Sequence, residues 1–165
     1  MPNLSKKRTK NMIVATFGNL LSKCKFETLT VNKISSAALI HRTTFYAHFQ
    51  DKYQLLDEFL ETQIQDTDFN FDNFFQSPFK NLSKIDTTHI RNVIEFQAND
   101  LLFNTSLTDF FLKKFRATYK SEPGLDYYLS LGKIHAILMW IEETQPHLSI
   151  FDNGEELDKI FHNFS

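Results

Sequence analysis

Residues 30–56, TVNKISSAALIHRTTFYAHFQDKYQLL, leave this chain little freedom in how it folds. Thr30 is a good helix cap, and Val31, Ile34, Ala37 and Ala38 recur at helical spacing to about residue 38. Ala37 and Ala38 are small enough to let another helix approach closely. Leu39 and Ile40 make a turn. A second short helix, from about Arg42 to His48, sets polar, hydrogen-bonding side chains on one side and Phe45 and Phe49, an i, i+4 pair, on the other. Asp51 then caps a further helix through Leu55, Leu56, Phe59, Leu60 and Ile64. Two short helices, a tight turn and an aromatic anchor make a helix-turn-helix, which sets a polar helix into the DNA major groove.

Charge divides the chain in the same place. Residues 1–52 hold nine Lys/Arg against Glu27 and Asp51, a net of +7, and the remainder holds nine basic against eighteen acidic residues, a net of −9. A positive head on a negative body is suited to meeting a polyanion with the head alone. The basic cluster Lys6, Lys7, Arg8 and Lys10 sits at the start of the first helix, where the helix dipole disfavours it. It is either a phosphate-binding cluster or a solvated, frayed tail.

The rest of the 165 residues reads as helix. Gly and Pro number four each, against a loop-rich sandwich. The first helix spans about Ser5 to Cys24, with Ile13, Phe17, Leu20 and Leu21 on one face. Residues 66–83 shift to Phe alternating with Asp and Asn, and Ser77-Pro78 marks a new start. Amphipathic helices are predicted over 87–103 and 105–120, the second ended by Glu122-Pro123-Gly124. A long apolar helix over 125–145 is stopped by Pro146, and a last helix runs from about Gly154 to Phe164. The expected fold is all-α: a three-helix helix-turn-helix domain over residues 1–50 and a helical domain over 51–165, about nine helices together. No apolar run is long enough for a bilayer and no secretory signal is visible, so a cytoplasmic protein without membrane attachment is expected. Cys24, the lone cysteine, fits a reducing compartment and reads as a half-buried helix residue.

Across residues 13–56 the chain resembles the DNA-binding domain of the TetR family of transcriptional regulators. Thr30, Val31, Ile34, Ala38, Thr44, Tyr46, Phe49, Lys52 and Leu55 fall in register with the family pattern, and Ile13, Ala15, Leu20 and Phe26 fit its first helix. Some positions depart from it. Leu39 stands where the family usually has Gly, His41 where it has Ser, and Lys25 where it has Gly. Downstream, Tyr128, Gly132 and Trp140 resemble the pattern of the last two helices of short family members.

The resemblance implies a regulator, by default a repressor, that binds a near-palindromic operator on double-stranded DNA as a homodimer. His41, Arg42 and Thr43 would contact base edges. Thr44, Tyr46, His48 and Lys52 would contact phosphates, and Thr30 would both cap its helix and touch the backbone. Tyr46 also reads as a half-buried packing residue, and His41 as an imperfect cap that meets no base. The dimer interface would use Tyr128, Ile134, Ile137, Trp140, Ile141, Leu157, Ile160 and Phe161. A small apolar effector would bind among the later helices, with Phe96, Phe103, Phe111 and Phe115 as candidates, although such phenylalanines equally fill a core. No catalytic constellation is visible: the histidines are scattered, no His pair has metal-ligand spacing, and Cys24 lacks an evident partner. Neither enzyme activity, metal nor cofactor is expected. Richness in Phe, Asn, Lys and Ile suits an A·T-rich bacterial genome. The competing reading is a module of the same fold that binds another regulator and has little DNA affinity of its own.

Overall fold

The computed structural model describes residues 4–65, 67–85, 87–118, 124–145 and 147–163, with the backbone alone at Thr88. Among them are nine α-helices and no strand: α1 Leu4–Leu21, α2 Val31–Ala37, α3 Arg42–Tyr46, α4 Lys52–Gln65, α5 Pro78–Ser83, α6 Thr88–Gln97, α7 Leu101–Thr118, α8 Leu125–Thr144 and α9 Gly154–Asn163. Short 3-10 turns occupy Phe26–Thr28 and Phe74–Gln76. The all-helical fold with an N-terminal helix-turn-helix is as expected. No described helix is long and apolar enough to cross a membrane. Pro123, Pro146 and Phe164, to which helix ends were assigned, lie outside the described residues.

The chain divides into two compact units, Met1–Gln65 with Thr88–Phe110, and Asp66–Thr87 with Phe111–Ser165. In the first, α1 packs against α2, α4 and α6. Its buried face is Ile13, Val14, Phe17, Gly18 and Leu21, while Leu20 is half-buried. Gly18 is required by this packing: a Cβ there would lie 2.7 Å from both the Phe59 ring and His89 Nε2. Phe17 meets Phe26 and Phe59 edge-on at 6.3 and 6.2 Å between ring centres, and Phe26 meets Phe103 at 6.2 Å. Edge-to-face pairs of this kind add to the apolar burial that holds the unit. Phe103, a candidate for an effector cavity, is therefore packed in the core of this unit.

In the second unit, α9 packs on α5 and α8. Buried Asp158 of α9 fastens α5: its two carboxylate oxygens accept from the amides of Phe79, at 2.8 Å, and Lys80, at 3.1 Å. That satisfies two amides at a helix start which otherwise have no partner. Gly154 permits the approach, since a Cβ there would sit 3.0 Å from the Phe79 carbonyl oxygen. The Phe-rich segment is largely core. Phe115 stands at the centre of a ring cluster, with Phe74 at 4.6 Å, Phe71 at 5.2 Å and Phe75 at 5.3 Å. Phe111 meets Phe69 at 6.0 Å.

One expectation needs correcting. The break expected near residue 104 falls at 98–100, because Asp100 accepts from the Phe103 amide at 2.9 Å and so starts α7. Of the residues assigned to a dimer interface, Ile134, Ile137, Leu157 and Phe161 are buried within their own unit, where α8 and α9 pack together. Of the others, Tyr128 and Trp140 are exposed and Ile141 and Ile160 half-buried.

Candidate nucleic-acid interface

Thr30 caps α2 as expected, its hydroxyl accepting from the Lys33 amide at 3.2 Å. The helix ends in a tightly specified turn. The Leu39 amide donates to Ser36 O at 3.2 Å and the Ile40 amide to Ser35 O at 3.0 Å, the paired bonds of a Schellman motif. Leu39 takes the left-handed position of that motif, with φ 53°, and is the one non-glycine residue with positive φ among those described. The turn is thus made without the glycine that favours it, and the side chain is 93% exposed. Ile34 and Ala38 are buried as expected, but Ala37 is exposed. Ser35 replaces it on the inner face.

α3 is held from beneath by Phe45 and Phe49, both buried, with ring centres 5.8 Å apart. Its other side faces outward. His41, Arg42, Thr43 and Tyr46 are exposed, and Thr44 and His48 are half-buried. His41 takes the N-cap position without a side-chain cap bond. Arg42 Nη2 donates to Tyr46 Oη at 3.3 Å, with the guanidinium 5.8 Å from the ring centre. This i, i+4 contact limits the freedom of a long side chain before anything binds it. Tyr46 is 50% exposed, so its hydroxyl is open to an outside partner even though its ring leans edge-on against Phe45.

The basic start of α1 lies within electrostatic reach of this helix. Burial first, then the charges of Lys6 and Lys10, holds the His48 imidazole below its ordinary range. Lys10 also pairs with Glu58 at 2.6 Å and sits 6.0 Å above the Phe49 ring. Lys6, Lys7 and Arg8 are exposed. The cluster lies within α1, which is helical from Leu4.

Lys52 is the first residue of α4. Its ammonium donates to Phe26 O at 2.8 Å and Glu27 O at 3.3 Å, and lies 4.5 Å from the Phe26 ring centre. Desolvation lowers its pKa, with Asp100 and Glu27 opposing. It braces the Phe26–Thr28 turn while remaining half-buried.

The same turn is fastened by groups that sequence reasoning missed. Fully buried Gln97 accepts from the Phe26 amide at 3.0 Å and donates to Leu21 O at 2.5 Å and Cys24 O at 2.8 Å. Asp100 accepts from the Glu27 amide at 2.9 Å, and Lys25 donates to Phe96 O at 2.5 Å. Phe96, a candidate for an effector cavity, is instead 39% exposed beneath the Lys25 ammonium. The chain between α1 and α2 is thus bolted at both sides, and the orientation of α2 and α3 relative to α1 follows.

An exposed polar helix on a buried aromatic base, entered through a tight turn from α2, defines a helix-turn-helix protein. A solved structure shares the fold. The chain is similar to NalD, the secondary repressor of the MexAB-OprM multidrug efflux pump in Pseudomonas aeruginosa, at 16% identity over 96% of this chain and 95% of that one, with TM-score 0.53. It also aligns with the dihydroxyacetone kinase operon activator DhaS at 18% identity over 93% of this chain and 94% of that one, with TM-score 0.45. No protein-family model and no curated protein matches the sequence. The fold is TetR-like, as the pattern at residues 13–56 implies.

Proposed function

We propose that this chain is a DNA-binding transcriptional regulator, a repressor by the default of the family it resembles, acting as a homodimer on a near-palindromic operator. The observation that carries this is α3 itself. Its inner side is locked by Phe45 and Phe49, and its outer side offers His41, Arg42, Thr43 and Tyr46 beside the Lys6 and Lys10 charges. A five-residue helix with that division has little reason to expose so many donors except to a polar partner. Arg42 suits bidentate bonding to guanine, with His41 and Thr43 at neighbouring base edges. Thr30, Thr44, Tyr46 and His48 take phosphates. Lys52 and the first amides of α4 take a phosphate, the two carbonyl bonds of the Lys52 ammonium leaving it a third N–H to donate.

Residues 1–50 carry the DNA contacts in this reading, and 51–165 the dimer and effector functions. The dimer face is the outer stripe of α8, where Leu125, Tyr128, Leu129, Met139 and Trp140 stay exposed. A small apolar effector acting near Phe111 and Phe115 would change the separation of the two heads and hence the affinity. The protein works in a bacterial cytoplasm, with neither catalysis nor cofactor.

Binding to mixed-sequence duplex DNA over a salt series tests the reading. Affinity should fall by roughly 0.9 log units per log unit of salt for each phosphate neutralised. Lys6→Ala and Arg8→Ala should each flatten that slope. A protein that stays folded and ignores duplex DNA at low salt would refute the reading in favour of a partner-binding module.

A further inference from the structure

The Leu39 conformation is strained, and among the described residues almost nothing packs on its side chain. The residue holds a left-handed φ of 53° where glycine would be unstrained, and it is 93% exposed. An outlier of this kind is a reason to look for a job outside the fold. Its position narrows the job. Leu39 lies three residues before Arg42, and three residues of chain span at most about 11 Å, within the roughly 12 Å width of a major groove. With Arg42 in the groove, Leu39 therefore lies within reach of the base edges beside it. Leucine has no polar atom, so it can read only an apolar feature. The one apolar feature on a major-groove base edge is the C5-methyl of thymine.

We propose that Leu39 reads a thymine methyl group next to the base pair contacted by Arg42, and so sets sequence preference at one position of each half-site. The proposal rests on the DNA-binding reading above. It adds a specificity-determining residue in the turn, outside the recognition helix.

The test is selection from a random duplex library, run in parallel with wild type, Leu39→Gly, Leu39→Asn and Leu39→Met. Uracil is then substituted for each thymine of the enriched wild-type duplex. Gly and Asn both accept positive φ, so these variants should fold, which a thermal melt checks. Wild type should lose about three- to fivefold in affinity when one particular thymine per half-site loses its methyl, on the scale of one apolar group buried. Leu39→Gly and Leu39→Asn should enrich the same site without preference at that position and ignore the uracil there. Leu39→Met should retain the preference. If Leu39→Gly enriches an unchanged motif and keeps the wild-type uracil response, the proposal is wrong and the DNA-binding reading stands. If wild type enriches nothing, both fall together.

Discussion

At residue scale, two side chains of the helix-turn-helix have measurable consequences. The Ser35 hydroxyl is buried without a hydrogen-bond partner, at a position where the family pattern has Ala. An unsatisfied buried hydroxyl is destabilising, so Ser35→Ala should raise stability by about 1 kcal/mol, seen as a higher urea midpoint. His48 gives a pH dependence whose sign is fixed. Its folded pKa lies below its ordinary 6.5, so the unfolded chain binds its proton more readily. Stability should therefore fall as pH drops below 6.5, and His48→Gln should remove part of that slope in thermal melts compared across pH. Neither effect is legible in sequence. Thr30, Phe45 and Phe49 were, because a cap and an i, i+4 aromatic pair are local signals. The burial of Ser35 in place of Ala37 depends on which way a seven-residue helix is rotated, and two adjacent small residues do not decide that.

At the scale of elements, helix positions followed from periodicity and breakers. Ser77-Pro78 starts α5, and Asp51 caps α4 by accepting from the Tyr53 and Gln54 amides at 2.9 and 2.8 Å. The α6–α7 break was misplaced because Asn104, read as a boundary, lies inside α7, while Asp100 supplies the cap. Long-range polar contacts left no trace in the pattern at all. Gln97 bonds to residues more than seventy positions away, and no spacing rule points from one to the other. Gln97→Met would keep the volume and remove all three bonds, stranding the Phe26 amide and the Leu21 and Cys24 carbonyls. A loss of at least about 2 kcal/mol is expected from groups left without partners, measured by chemical denaturation. Weaker DNA binding should accompany it, because this corner orients α2 and α3.

At the scale of the whole molecule, the face proposed for a dimer is where the sequence was least informative. Apolar residues of α8 and α9 fall into two sets, one facing the unit's own core and one facing out, and a mean-hydrophobic helix such as α8 gives no phase to separate them. Ile134 and Ile137 proved to be core, while Leu125, Leu129 and Met139 are exposed. Leu129→Glu should therefore convert a dimer to monomer in analytical sedimentation with helicity unchanged. A dimer that survives this change would place the interface elsewhere. The TetR-like fold was legible because its defining segment is short and local.

The central claim is that α3 reads base sequence. It is tested most directly by selecting bound duplexes from a random library at near-physiological salt, with wild type and Arg42→Ala side by side. The account predicts an enriched near-palindrome with half-sites about one helical turn apart, and loss of preference at one G·C pair per half-site in Arg42→Ala, corresponding to about 1–3 kcal/mol. No enrichment by a folded, dimeric wild type, or an identical motif from both proteins, would contradict it.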